Sequence, residues 1–188
     1  GAALVESAVK SDYDAVVYDL DGTLVELDVD WAEVARSVAA VLSARGVDSS
    51  GADLWEMFER AREAECFPSV DGRVAEFERE GARTSRRLPL AAELPRSEPV
   101  GVVSLNAESA CRIALEVHGL DSAVGTVIGR DTVAEMKPHP LPLQRALEDL
   151  GVAPERALFV GDSDSDAEAA RRAGMDFQSV TDRLAQDR

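Results

Sequence analysis

Five short apolar runs leave this chain of 188 residues few ways to fold. AVVY (15–18), PVGVVS (99–104), VGTVI (124–128), ALFV (157–160) and MDFQSV (175–180) are bounded by turn residues, and their length and valine content suit strands covered on both faces. Between the last four lie patterns with helical spacing, AESACRIALEVHGL (107–120), LPLQRALEDLG (141–151) and SDAEAARRAG (165–174). Gly119, Gly151 and Gly174 stand where those helices should stop, since glycine takes the left-handed conformation of a helix end at no Cβ cost. Strand alternating with helix predicts an α/β fold with a Rossmann-like, doubly wound parallel sheet.

The stretch 27–96 breaks that rhythm. Asp30 is placed to cap a helix in which Trp31, Val34, Ala35, Val38, Val41 and Leu42 recur at three- and four-residue intervals, and Gly46 ends it. A second stripe joins Leu54, Trp55, Phe58 and Ala61, and a third helix is expected around Val74 to Phe77. About 70 residues of this kind are too many for an ordinary crossover. The expected organisation is therefore a core of 1–26 and 97–188 carrying an inserted helical subdomain of 27–96. Its apolar stripes, Trp31 and Trp55 included, read as that subdomain's own core. Arg60, Arg62, Arg73, Arg79, Arg83, Arg86 and Arg87 read as solvated partners of nearby acids, with one or two free to face a phosphate.

Charge narrows the partners. The 36 acids exceed the 20 bases by enough to give a formal net charge of −16, so nucleic acid and anionic membranes, which are bound by cationic surfaces, are excluded as expected partners. The only lysines are Lys10 and Lys137. An acid-rich, lysine-poor surface resembles that of proteins from salt-loving microbes and suggests a haloarchaeal source, although a GC-rich genome yields a similar bias. No apolar run approaches the roughly 20 residues of a membrane span, and the opening GAALVESAVKSD lacks the layout of a secretory signal, so a cytoplasmic setting is expected. Cys66 and Cys111 have no metal-site spacing and read as reduced thiols.

In an open parallel sheet, ligands sit beyond the carboxyl ends of the strands. Those positions hold Asp19 and Asp21 after the first run, Ser104 at the end of the second, Lys137 in EMKPHP after the third, and Asp162 with Asp166 in GDSDSD after the fourth. Each has a plain alternative alone: Asp21-Gly22 as a turn, Lys137 as a surface residue, Ser163 or Ser165 as a helix cap. Together they bring four acids, a hydroxyl and an amine to one edge. Asp19 and Asp21 alternate onto the same side of an extended chain and repel each other, so a cation is expected beside them.

These four segments, DLDGTL (19–24), Ser104, Lys137-Pro138 and GDSDSD (161–166), resemble in order and combination the motifs of the haloacid dehalogenase-like hydrolase superfamily, and the helical insertion resembles its C1-type cap. The likeness is nearest to phosphoglycolate phosphatase-like members. It implies a hydrolase in which Asp19 is the nucleophile toward a phosphomonoester and becomes an aspartyl-phosphate. Mg²⁺ would be held by Asp19, the backbone carbonyl of Asp21 and Asp162. Asp21 would serve as general acid and base, Lys137 and Ser104 would offset charge on the phosphoryl oxygens, Gly22 and Leu105 would lie at the substrate phosphate, and Asp166 would orient Lys137 or a bound water.

A dehalogenase needs no acid at position 21, so Asp21 argues for a phosphatase; a sugar-phosphate mutase, a phospho-acceptor signalling domain and a non-catalytic phosphate binder remain as alternatives. Family members often carry asparagine directly after the second-motif hydroxyl, where this chain has Leu105 and then Asn106. His118 and His139 receive no role. The expected partner is a small phosphorylated metabolite, the expected assembly a monomer or small homo-oligomer, and the insertion is expected to hinge near Val25–Asp28 and Leu94–Glu98.

Overall fold

The computed structural model describes residues 12–186. In chain order the strands and α-helices are β1 (Ala15–Tyr18), β2 (Val25–Glu26), α1 (Trp31–Ala44), α2 (Leu54–Glu63), α3 (Phe67–Arg83), β3 (Arg86–Arg87), β4 (Val100–Val103), α4 (Glu108–Val117), β5 (Thr126–Ile128), α5 (Leu141–Leu150), β6 (Ala157–Gly161), α6 (Asp164–Ala173), β7 (Asp176–Ser179) and α7 (Val180–Gln186). Among the described residues, five strands form one sheet in the order β5-β4-β1-β6-β7, with every neighbouring pair parallel. All five apolar runs of the sequence are these strands.

Side chains alternate across the sheet and are buried on both faces. Val16 and Tyr18 of β1 join Val100 and Val102 of β4 and Leu158 and Val160 of β6 on one face, under Ala110, Cys111, Ala114 and Leu115 of α4. Ala15 and Val17 join Val103, Ala157 and Phe159 on the other, under Leu143 and Leu147 of α5 and Ala169, Ala170 and Ala173 of α6. This two-sided burial is why the runs are continuously apolar. Gly151 and Gly174 end α5 and α6 in the left-handed conformation, at φ of 69° and 76°.

The helices α1, α2 and α3 have a separate apolar cluster built on Val34, Val38 and Leu42, Met57, Phe58 and Ala61, and Val70 and Val74. Asp30 caps α1 by accepting from the N–H groups of Ala32 and Glu33. At 17 residues, α3 is much longer than the Val74–Phe77 kernel legible in sequence; it starts with Pro68 in the first turn, where no N–H is required. Trp31 and Trp55 do not join the cluster, contrary to the expectation from their stripes. Each lies in the first turn of its helix and stays 40% and 44% exposed, respectively.

β2 and β3 pair antiparallel at the base of this bundle, Val25 opposite Arg87 and Glu26 opposite Arg86. Leu27, Ala82, Leu90, Ala91 and Leu94 pack into the sheet's cluster with Val16 and Tyr18. The buried Tyr18 hydroxyl donates to Glu93 Oε1 at 2.6 Å, and the same carboxylate accepts from Arg183 at 2.9 Å and Arg96 at 3.2 Å. The returning segment is thus fastened to β1 and α7 before it enters β4.

Cys66 and Cys111 are both free and buried. Burial pushes the Cys111 thiol up to about 12, which leaves almost no thiolate at pH 8. The folded protein should therefore show no fast reaction with Ellman's reagent at pH 8, and two equivalents should appear only on unfolding. A thiol that titrates before the unfolding transition would contradict this packing.

Candidate active site

The sheet register decides which side chains meet. Tyr18 lies opposite Val102 and Val160, so the chain leaves β1, β4 and β6 at one edge. Asp19 follows directly, its N–H donating to Val160 O at 2.9 Å, and Ser104 follows β4 with its N–H on Ile128 O at 2.9 Å. Lys137 reaches this edge from the loop after β5. Its ammonium is 2.5 Å from Asp166 Oδ1 and 3.2 Å from Asp19 Oδ1, donates to Val103 O at 3.2 Å, and lies 5.4 Å from the Phe159 ring centroid.

Asp166 is fully buried in α6. Its Oδ1 takes Lys137, its Oδ2 takes the Asp162 N–H at 3.2 Å, and its own N–H is capped by Ser163 Oγ at 3.1 Å. Glycine is required at position 161, because a Cβ there would overlap the Asp166 carboxylate. Gly22 is required for two reasons: its φ of +84° disfavours other residues, and a Cβ would overlap the Asp162 carboxylate. Its N–H donates to Val25 O at 2.8 Å, inside the turn, so Gly22 makes room for Asp162 and has no free donor for a phosphate. Asp21 stands beside it, Oδ1 accepting from Leu27 N–H at 3.0 Å.

Asp19, Asp162 and Asp166 each bring a carboxylate oxygen within 4.8 Å of the others. Burial pushes the Asp19 carboxyl well above the usual range; Lys137 opposes that shift and Asp166 adds to it. Burial also raises Asp21, against the Leu27 N–H. For Lys137 burial works against the ammonium, but Asp19 and Asp166 hold it above the ordinary lysine value. The cluster is short of positive charge, and its donors are hard oxygens of the kind Mg²⁺ takes. Since both Asp166 oxygens already accept hydrogen bonds, Asp19 and Asp162 are the carboxylates left for a cation.

A second cluster joins the helices to the sheet edge. Ser104 Oγ donates to Asn106 Oδ1 at 2.9 Å and accepts from Asn106 N at 3.0 Å. Asn106 Nδ2 donates to Glu78 Oε2 at 2.7 Å, and Ala107 N donates to Glu78 Oε1 at 3.2 Å. Arg130, in the loop after β5, places Nη1 3.0 Å from Glu78 Oε2 and 2.9 Å from Oε1, donates from Nε to Asp71 Oδ1 at 2.7 Å, and reaches Leu105 O at 2.9 Å. Burial raises the Glu78 carboxyl, with Arg130 and Asn106 pulling the other way.

Sequence reasoning did not anticipate Glu78, Arg130 or Asp71. The available signal was Glu78 itself, an ionisable residue four positions after Val74 and eight after Val70 on the buried stripe of α3. Asn106, one position later than the family's usual asparagine, is engaged on both sides, by Ser104 and by Glu78. His118 bonds Ser85 at 3.0 Å, tying the end of α4 to the segment after α3, and His139 accepts from Leu141 N–H at 3.0 Å within its own turn. Asp164 is an exposed first-turn acid of α6.

A cavity of about 600 Å³ lies between α1–α3 and the sheet edge, with Asp19, Asp21, Ser104, Leu105, Lys137 and Asp162 on its wall. Trp31 and Trp55 line it from the helices.

The family model described as haloacid dehalogenase-like hydrolase matches residues 93–180. A phosphoglycolate phosphatase of Xylella fastidiosa is 35% identical over 178 residues, covering 85% of this chain and 76% of that protein. The chain belongs to the haloacid dehalogenase-like hydrolases. A phosphoglycolate phosphatase of Escherichia coli is 30% identical and covers 90% of this chain and 82% of its own length. Among solved structures, a haloacid dehalogenase-superfamily hydrolase of Geobacter sulfurreducens superposes with a TM-score of 0.59 at 27% identity, covering 88% of each chain. With relatives of this kind, this haloacid dehalogenase-like hydrolase is a phosphatase.

Glu78 and Arg130 form a buried pair, with side chains 1% exposed on each partner. Glu78→Gln keeps the shape and removes the charge opposite Arg130, and should cost about 3 kcal/mol, read as a lower urea midpoint at unchanged m-value. A loss of only a few tenths would show that Asp71 alone suffices for Arg130.

Proposed function

We propose that the chain is a Mg²⁺-dependent phosphomonoesterase that acts on a small phosphorylated metabolite through an aspartyl-phosphate on Asp19. The observation that carries this reading is the convergence of Asp19, Asp162 and Lys137 on one cavity wall, with Asp166 fixing the lysine. Asp19, the Asp21 carbonyl and Asp162 would hold the ion. When bound, Mg²⁺ supplies the positive charge that lets a carboxylate approach an anionic ester.

The Asp19 carboxylate attacks phosphorus, and the bond from phosphorus to the ester oxygen breaks. Asp21, its carboxyl raised by burial and its Oδ1 held by Leu27 N–H, gives its proton to the departing alcohol oxygen. It then takes a proton from the water that attacks the aspartyl-phosphate, which releases inorganic phosphate and restores Asp19. Lys137 offsets charge on Asp19 and on the phosphoryl oxygens throughout. To donate to the phosphoryl group beside Leu105, the Ser104 hydroxyl has to exchange its bond to Asn106 Oδ1 for one to a phosphoryl oxygen, while the Asn106 N–H keeps the oxygen in place. Asp166 acts through Lys137.

The helical segment 27–96 is read as a cap that opens for substrate and closes to exclude water. The fastening of Glu93 to Tyr18, Arg96 and Arg183 argues against a pivot at Leu94–Glu98 and favours one at the β2–β3 ribbon. Among the described residues no helix is long and apolar enough to cross a membrane. The surplus of acids over bases supports a salt-rich cytoplasm as its setting.

Turnover of p-nitrophenyl phosphate tests the core of this reading. Dialysis against EDTA should abolish it and Mg²⁺ should restore it. Asp19→Asn should reduce it to background even at saturating Mg²⁺; full activity in that variant would remove the proposed nucleophile. Asp21→Asn should lower kcat by about 10² to 10⁴, with the smaller losses on esters whose alcohols leave without a proton. An equal loss across leaving groups would take the acid role away from Asp21.

A further inference from the structure

Granted the phosphatase reading above, the cavity also constrains what leaves. We infer that the substrate is the phosphomonoester of an uncharged, flat-ringed alcohol, seated against Trp31 and Trp55, and that a carboxylated or doubly phosphorylated substrate is disfavoured. Among the described residues on the cavity wall, the cations are Lys137 and Arg130. Lys137 is committed to Asp19 and Asp166. Arg130 pairs with Asp71 and Glu78 through Nε and Nη1; its remaining nitrogen, Nη2, has no hydrogen-bond partner but is buried out of contact with solvent, and its guanidinium carbon lies 5.3 Å from the Phe58 ring centroid. Neither presents an accessible nitrogen, with side chains 1% and 2% exposed for Arg130 and Lys137, and each is already offset by two acids, so a second anionic group would be desolvated facing acids instead.

The acids on the helical side are satisfied too, so a cationic group gains little. Asp53 caps α2 through the Glu56 N–H at 2.8 Å, and Glu78 already accepts from Asn106, Ala107 and Arg130. What the helices do offer is apolar wall: Trp31, Ala35, Leu54, Trp55, Phe58 and Val74. Trp31 and Trp55 are 40% and 44% exposed although they stand on apolar stripes, and the Trp55 and Phe58 rings are 5.6 Å apart and tilted by 31°. Exposed indoles at the mouth of a pocket are surface that a ring can cover. The 600 Å³ volume falls within the range of about 300 to 1,000 Å³ typical of pockets for drug-sized ligands; a two-carbon leaving group would leave most of it to water. An adjoining cavity of about 720 Å³ shares Trp55, Phe58, Leu105 and Lys137 and adds Glu56, Glu59 and Glu135, with Arg62 paired to Glu59 at 2.8 Å, so the route onward also repels anions.

The test uses the full chain with Mg²⁺ and phosphonates that cannot be cleaved, so leaving-group reactivity does not enter. Calorimetry gives Kd for methylphosphonate, benzylphosphonate, phosphonoacetate and 2-aminoethylphosphonate, and turnover of acetyl phosphate is measured beside it. Benzylphosphonate should bind about tenfold tighter than methylphosphonate, while phosphonoacetate and 2-aminoethylphosphonate gain nothing. Trp31→Ala and Trp55→Ala, at positions exposed enough to spare the fold, should each erode the benzyl advantage severalfold, and Trp→Phe should keep most of it. Tightest binding of phosphonoacetate or of 2-aminoethylphosphonate would overturn the inference, as would a benzyl advantage that survives both alanine variants. Absence of acetyl phosphate turnover would strike the phosphatase reading, while the binding series would still decide this one.

Discussion

A buried ammonium holds the site together. Removing the Lys137 charge from water costs several kcal/mol, and the protein meets that cost with two carboxylates, at 2.5 Å and 3.2 Å, and the carbonyl of Val103. Asp19 comes from the end of β1, Asp166 from the first turn of α6, and Val103 from the end of β4. They reach one nitrogen only if β1 lies between β4 and β6 in the observed register. The parallel sheet and the arrangement at its edge therefore require each other. A slip of one residue would turn Asp19 to the other face and leave the lysine with one of its two carboxylates.

The Glu78 cluster works by different physics. A buried ion pair usually does no better for stability than apolar residues of the same volume, so its worth lies in geometry. Glu78 collects the Asn106 amide, the Ala107 N–H and Arg130, which fixes the loop after β4 and with it the Ser104 hydroxyl. Because Glu78 and Asp71 belong to α3 and Arg130 to the loop after β5, the same bonds fasten the helical bundle over the cavity. One set of hydrogen bonds thereby holds the Ser104 hydroxyl and ties α3 to the sheet edge.

Where the sequence was legible, the reason was periodicity or a special backbone demand. The strands read directly because both sheet faces are covered, so AVVY and ALFV carry no polar break. The strand-end residues read because a parallel sheet collects them at one edge whatever the loops do; Asp19, Ser104, Lys137, Asp162 and Asp166 needed only that rule. Gly22 was legible as important but not in its function, since the proximity of the Asp162 carboxylate arises from a different segment. The start of α3 was hidden by weak apolar content around Pro68 and Gly72, and Glu78 by the habit of treating acids as surface residues. Trp31 and Trp55 misled for a related reason: a stripe shows which face of a helix is apolar, but not whether helix, sheet or ligand covers its first turn.

Charge ties the site to the whole surface. A protein of net charge −16 repels a phosphate dianion at long range, and the acids on the cavity wall add to that repulsion. The two cations that could counter it, Lys137 and Arg130, are buried and paired, so they contribute little field beyond the site. In molar salt the Debye length falls to about 3 Å; the distant acids then drop out, while Lys137 still acts at contact range. On the proposed reading, attraction for a phosphoryl group in such salt is local, and further affinity would come from a part of the substrate that salt does not screen. Apolar wall around Trp31 and Trp55 meets that requirement, because burial of ring surface is strengthened by excluded salts while ion pairing is weakened.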